Sequence, residues 1–287
     1  MSVEPPQIEG VRRSFVVANG VKFHVTEAGP PDGRPVLALH GWPQHHWEWR
    51  DLLADPPPGL RIIAPDLPGY GWSGPPSHRM AKEDLATDVL ALLDALGLSR
   101  VLFVAHDWGA YTGYRMILRE PERFDGYIPM NMAHPWQKPT SVLPHLWKLY
   151  YQAPLATAGI TLMRHTNIVN FMFKVGSDLD PADARVFADS FRNPVSARAG
   201  RDTYRTFLTH ELPWAARNPE ERRATVPIRA LFGERDAAVS LAMVSPESAK
   251  ADDYTLETVD ATHFVVDERP DLVRKKLIAL AEETAGI

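Results

Sequence analysis

The apolar positions of this chain fall into short unbroken runs set between turn formers, and into longer stretches where they recur at helical spacing. Phe15 to Ala18 and Val21 to Val25 are β-rich runs joined by Asn19-Gly20, a strong tight-hairpin signal. Pro35-Val-Leu-Ala-Leu39 and Arg61-Ile-Ile-Ala-Pro-Asp66 do not alternate, as suits strands buried on both faces. From Ala81 to Leu96, the residues Leu85, Val89, Leu92, Leu93 and Leu96 share one helical face, and Gly97 is a suitable stop. Val101 to Ala105 reads as a buried strand leading through a sharp turn into an amphipathic helix, and Tyr127 to Asn131 reads as a further strand. Strand signals then cease in favour of prolines, aromatics and helix-length amphipathic pieces. They return at Ile228 to Phe232 and Tyr254 to Val259, and a closing helix is predicted over Pro270 to Glu283.

Strands alternating with helices imply an α/β fold with a mostly parallel sheet wrapped on both faces. The break in pattern divides the chain into a core over 1–133, a helical lid over 134–216, and the rest of the core over 217–287. No internal repeat or low-complexity segment interrupts it.

Composition narrows the function classes. At 287 residues the chain can bury a sizeable core, and 45% hydrophobic with 23% charged residues is ordinary for a water-soluble protein. The net charge of −5, from 31 basic and 36 acidic residues, and the lack of a basic cluster argue against nucleic acid or anionic membrane as partners. With no cysteine there is no disulfide, thiolate metal site or cysteine nucleophile. The first residues lack the basic and apolar parts of a signal peptide, and no apolar run is long enough to span a bilayer, so a cytoplasmic location is expected.

The candidate chemistry centres on Ala105-His106-Asp107-Trp108-Gly109. Small residues flank a potential nucleophile at a strand-to-helix turn, a pattern that folds the backbone tightly and lifts one side chain above the sheet. Here that side chain is a carboxylate, which attacks carbon and leaves an ester on the enzyme. Read alone, Asp107 equally suits the cap of the following helix. A covalent ester needs a base to activate water and an acid to orient that base. His263 follows the last strand, and Asp236 follows the strand ending near Gly233. Asp236 alone could be a surface turn carboxylate, but nucleophile, acid and base each fall at a strand end. Backbone N–H groups of Trp42 and Trp108 are candidate donors to the developing oxyanion, and Pro43 admits a cis bond after Trp42. His40, His45 and His46 raise a metal site, but no second cluster supplies the remaining ligands. His40 instead suits a loop brace, and His106 a packed neighbour of the turn.

Together these residues resemble the α/β-hydrolase-fold epoxide hydrolases, close relatives of the haloalkane dehalogenases. The likeness runs from His40-Gly-Trp-Pro-Gln44 through Asp66-Leu-Pro-Gly-Tyr-Gly-Trp-Ser73 and His106-Asp-Trp-Gly109 to Asp236 and His263, in the order nucleophile, acid, base used by that fold. Trp42 stands where dehalogenases usually carry a halide-binding Asn or Glu. Trp108, Ala110 and Tyr111 stand where fluoroacetate dehalogenases carry arginines. The resemblance implies an eight-stranded sheet with the lid inserted after the sixth strand. It implies hydrolysis of an apolar epoxide to a vicinal diol through an ester on Asp107, with water as the only other reactant and no cofactor or metal. A homodimer is left open.

The family also uses two lid tyrosines to assist ring opening. Tyr204 matches one. At the other, aligning Leu146-Trp-Lys-Leu-Tyr-Tyr-Gln-Ala-Pro154 by its Gln and Pro puts Trp147 in place of tyrosine. Tyr150 is the substitute expected for catalysis, with Tyr151 and Trp147 against the substrate. Alternatively Tyr204 acts alone, or Trp108 and Trp147 hold a halide as in a haloalkane dehalogenase. A catalytically silent ligand binder is the third reading.

Overall fold

All eight sequence-derived strands are present in a computed structural model that describes residues 4–137, 147 and 150–286. They are β1 (Arg12–Ala18), β2 (Val21–Ala28), β3 (Arg34–Leu39), β4 (Leu60–Pro65), β5 (Val101–His106), β6 (Phe124–Met130), β7 (Ile228–Gly233) and β8 (Tyr254–Val259). One sheet holds them in the order β1-β2-β4-β3-β5-β6-β7-β8. β2 runs antiparallel to both neighbours, and every pairing from β4 to β8 is parallel. Asn19 and Gly20 have φ of +47° and +78°, as a tight primed hairpin turn requires.

The unbroken apolar runs are explained by burial on both faces. Leu37, Leu39, Val101, Phe103 and Ala105 join one core cluster, while Val36, Ala38, Leu102 and Val104 join the other. The first core is covered by helices α2 (Lys82–Ala95) and α3 (Asp107–Arg119), which follow a short α1 (Arg50–Ala54). In α2, Leu85, Val89, Leu92 and Leu93 face inward as their spacing predicts, and Gly97 ends the helix at φ +68° with Leu98 N–H returning to the Leu93 carbonyl.

Between β6 and β7 the described residues contain α4 (Gln152–His165), α5 (Ile168–Gly176), α6 (Pro181–Ser190), α7 (Pro194–Thr206), a π-helical turn (Phe207–Glu211) and α8 (Leu212–Arg217), and no strand. The chain closes with α9 (Val265–Glu268) and α10 (Pro270–Glu283), whose Val273, Leu277 and Leu280 cover the second core. No helix among the described residues is long and apolar enough to cross a membrane.

Candidate active site

β5 ends at His106 and α3 begins at once with Asp107, so the chain must reverse within one residue. Asp107 does this at φ +47°, a strained conformation that side-chain-bearing residues rarely adopt. The turn closes only because its neighbours are glycines. A Cβ on Gly109 would lie 2.3 Å from the His40 carbonyl oxygen, and one on Gly41 would lie 2.4 Å from the Asp107 Cβ. Gly41→Ala is therefore expected to displace the carboxylate and slow any reaction at Asp107 by roughly a hundredfold. Circular dichroism and initial rates on the same preparation check this. An active, folded Ala variant would remove the steric argument.

The carboxylate is held by more than the turn. The Trp42 backbone N–H donates to Asp107 Oδ2 at 2.8 Å, and the peptide that follows, Trp42–Pro43, is cis. No bond from the Trp108 backbone N–H to Asp107 is seen among the described residues. His40 braces this loop from below, its Nδ1 on the Gly41 carbonyl and its Nε2 accepting from Leu67 N–H.

Asp107 Oδ1 lies 3.5 Å from His263 Nε2, and the other ring nitrogen, Nδ1, is 2.8 Å from Asp236 Oδ2. Asp107, Asp236 and His263 thus converge from three separate strand ends. Asp236 is fixed by donors on both oxygens. Ala238 and Val239 N–H bond its Oδ1, while His263 and the Asn131 amide bond its Oδ2. Burial raises the Asp236 pKa, but the His263 ring and these bonds outweigh it and hold the carboxyl below its usual range. Burial likewise opposes the charge on His263, yet Asp236 first and Asp107 next push its pKa up to about 10. A buried pair stands behind the base. His106 Nε2 bonds the His263 carbonyl at 2.8 Å, and its Nδ1 lies 3.1 Å from Glu48.

The lid contributes Tyr204, which is 2% exposed and boxed by Trp42, Trp108 and Tyr151 at ring distances of 5.0, 6.1 and 5.8 Å. Tyr151 is partly buried against the same cluster, with its hydroxyl near Tyr204 and Gln152. Burial and the nearby Asp107 charge push both phenols above their usual pKa, keeping them neutral donors. Tyr150 and Trp147 are instead open to solvent, 75% and 65% exposed. Residues 138–146, 148 and 149, which complete that part of the expected lid, lie outside the described residues. A cavity of about 740 Å³ opens over Asp107, lined mainly by apolar side chains including Tyr111, Met132, Phe207 and Trp214.

Two features escaped the sequence. Asn131, at φ +46°, bridges Asp236 and the Gly233 N–H, and its only prior signal was a polar residue ending an apolar strand. The second is the pair Lys82 and Glu211, which sat unnoticed at the starts and ends of helices. The metal question resolves into structure. Among the described residues the metal-capable group is His24, His46 and Asp66, not His40 and His45. Both ring Nδ1 atoms already sit on Asp66 oxygens, which also accept from the backbone N–H groups of His46 and Trp72. This buried carboxylate ties β2 to the loops after β3 and β4. Burial pushes His45 down to about 3, leaving it a neutral ring among Trp72 and Phe187.

Comparison with known proteins agrees with this fold. The chain is 26% identical to human Epoxide hydrolase 4, over 93% of this chain and 77% of that one. It is 27% identical to the AB hydrolase superfamily protein YfhM of Bacillus subtilis (strain 168), over 94% and 98% of the two chains. A Salmonella enterica crystal structure, provisionally an acyltransferase, superposes with a TM-score of 0.84 at 25% identity, covering 98% of each chain. The pattern of the alpha/beta hydrolase fold matches residues 34–270. This chain therefore belongs to the alpha/beta hydrolase fold family.

Proposed function

We propose that this protein hydrolyses apolar epoxides to vicinal diols through an ester on Asp107. The observation that carries the proposal is the carboxylate itself. One oxygen is held by Trp42 N–H, the other faces His263, and the lid tyrosines Tyr151 and Tyr204 lie near enough for its charge to act on both phenols. Relatives named as epoxide hydrolases, among them the human one described above, support the same reading.

In the first step Asp107 Oδ1 attacks an epoxide carbon and the C–O bond breaks towards oxygen. The alkoxide takes a proton from the lid tyrosines, of which Tyr151 rather than the exposed Tyr150 partners Tyr204. In the second step water attacks the Asp107 carbonyl carbon as His263 takes its proton. Trp42 N–H stabilises the oxyanion, and collapse releases the diol with the proton from His263. The proton shed when Asp107 returns to carboxylate restores the tyrosine.

A haloalkane dehalogenase would need two donors converging on a halide. Trp147, the second of them, is 65% exposed. A silent binder would have no use for a carboxylate, imidazole and carboxylate in series. The deciding assay presents aryl and alkyl epoxides, and separately bromoalkanes, to the purified protein and follows diol and bromide. Diol without bromide is expected; bromide without diol would transfer the assignment to dehalogenation.

The tyrosine assignment has its own test. Tyr204→Phe and Tyr151→Phe should each slow ring opening by roughly 10- to 100-fold, as loss of a positioned acid does, while Tyr150→Phe leaves it unchanged. A defect in Tyr150→Phe matching the other two would reverse the choice of partner.

A further inference from the structure

We propose that Lys82 is a positioning residue for ring opening, fixing the Trp108 indole that packs against Tyr204; the inference rests on the reading of the site given above. Lys82 is the first residue of α2 and its side chain is completely buried. Its ammonium lies 2.7 Å from Glu211 Oε2 and 3.4 Å from the carbonyl of Thr203, the residue before Tyr204. It also lies 4.1 Å from the centre of the Trp108 ring. The other Glu211 oxygen accepts the Lys82 backbone N–H at 2.8 Å, so one lid carboxylate both caps a core helix and neutralises its first side chain. No side chain of α2 itself provides that cap.

A buried ammonium is costly, and even a paired one is often matched or bettered in stability by an apolar side chain. Anchoring the lid therefore does not by itself explain a lysine here. What an apolar residue could not supply is charge on the face of the indole that follows the nucleophile. A cation over the ring holds the indole in one plane by its attraction to the π face. The Trp108 ring in turn packs edge-on against the Tyr204 ring, with centroids 6.1 Å apart at 76°. An indole fixed on one side by Lys82 keeps the phenol on its other side aimed, so the Tyr204 hydroxyl meets a substrate oxygen in one geometry. Glu211 closes the arrangement from the π-helical turn that directly follows the Tyr204 helix, fixing the lid and the indole with one contact.

The test separates ring opening from ester hydrolysis in single turnovers with styrene oxide, following the alkyl-enzyme by mass after acid quench. Lys82→Met leaves the partly buried Glu211 without its ammonium partner, so the double variant Lys82→Met/Glu211→Gln is measured beside it, each with its melting temperature. Ester formation in the double variant should fall roughly tenfold while ester decay stays within about twofold. Lys82→Arg, which keeps a cation over the ring, should restore most of the loss. In a Tyr204→Phe background the same double exchange should cost less than about twofold, because the hydroxyl it acts on is gone. Equal losses in both backgrounds, or equal losses in both steps, would reduce Lys82 to a structural anchor and overturn the inference. A parent enzyme that forms no adduct is a different failure, seen before any variant is made. It rejects the reading of the site and the inference with it.

Discussion

Exchange of Asp107 for Asn is expected to lower turnover of epoxides by at least about four orders of magnitude with the fold intact. Asn tolerates positive φ nearly as well as Asp, so the turn at +47° survives the change. Its amide oxygen can still accept the Trp42 N–H that now holds Oδ2. What disappears is the negative charge that makes the other oxygen a nucleophile. Few substitutions in this chain separate chemistry from structure so cleanly, since the altered group is isosteric and its backbone constraints are met. Melting temperature and diol formation, measured on protein checked by mass for reversion of Asn to Asp, decide the matter. Retained activity in unreverted protein would remove the covalent mechanism, leaving direct attack of water on the epoxide.

The fold was legible because its signals are local. Asn19-Gly20 requires a particular turn, and runs such as Val101 to Ala105 have no polar face to offer water, so they must lie between two layers. The triad was legible for a related reason. Each member lies within a few residues of the end of a parallel strand, and such strands carry their last residues to one edge. Other parts depend on who meets whom. Asn131 becomes a support for Asp236 only because β6 lies beside β7, and nothing in Met130-Asn-Met132 announces that contact. Adjacent residues at the start of a helix point about 100° apart, so the sequence could not say whether Tyr150 or Tyr151 turns inward. Packing against Tyr204 selects Tyr151. Lys82 and Glu211 are distant in sequence and meet only because the lid folds back over the start of α2.

Replacing His263 by Gln is expected to stop the reaction halfway. In the proposed mechanism ring opening uses Asp107 and the lid hydroxyls, which the substitution leaves in place, whereas ester cleavage needs a proton taken from water and Gln cannot accept it. The protein should therefore gain the mass of one epoxide and keep it, with at most a single turnover of substrate consumed. The pH dependence of the parent enzyme carries the complementary sign. In the resting site two carboxylates hold the His263 proton, and its pKa stands at about 10. Esterification of Asp107 removes one of those charges together with its hydrogen bond, so the imidazole loses its proton more readily in the intermediate than in the free enzyme. Ester decay should then rise with pH to a plateau whose midpoint lies below about 10, and His263→Gln should show no such rise. A decay rate independent of pH in the parent, or hydrolysis without a trapped adduct in the variant, would assign the base to another group. On this reading His263 stays protonated while Asp107 is a free carboxylate and becomes the base once the ester removes that charge.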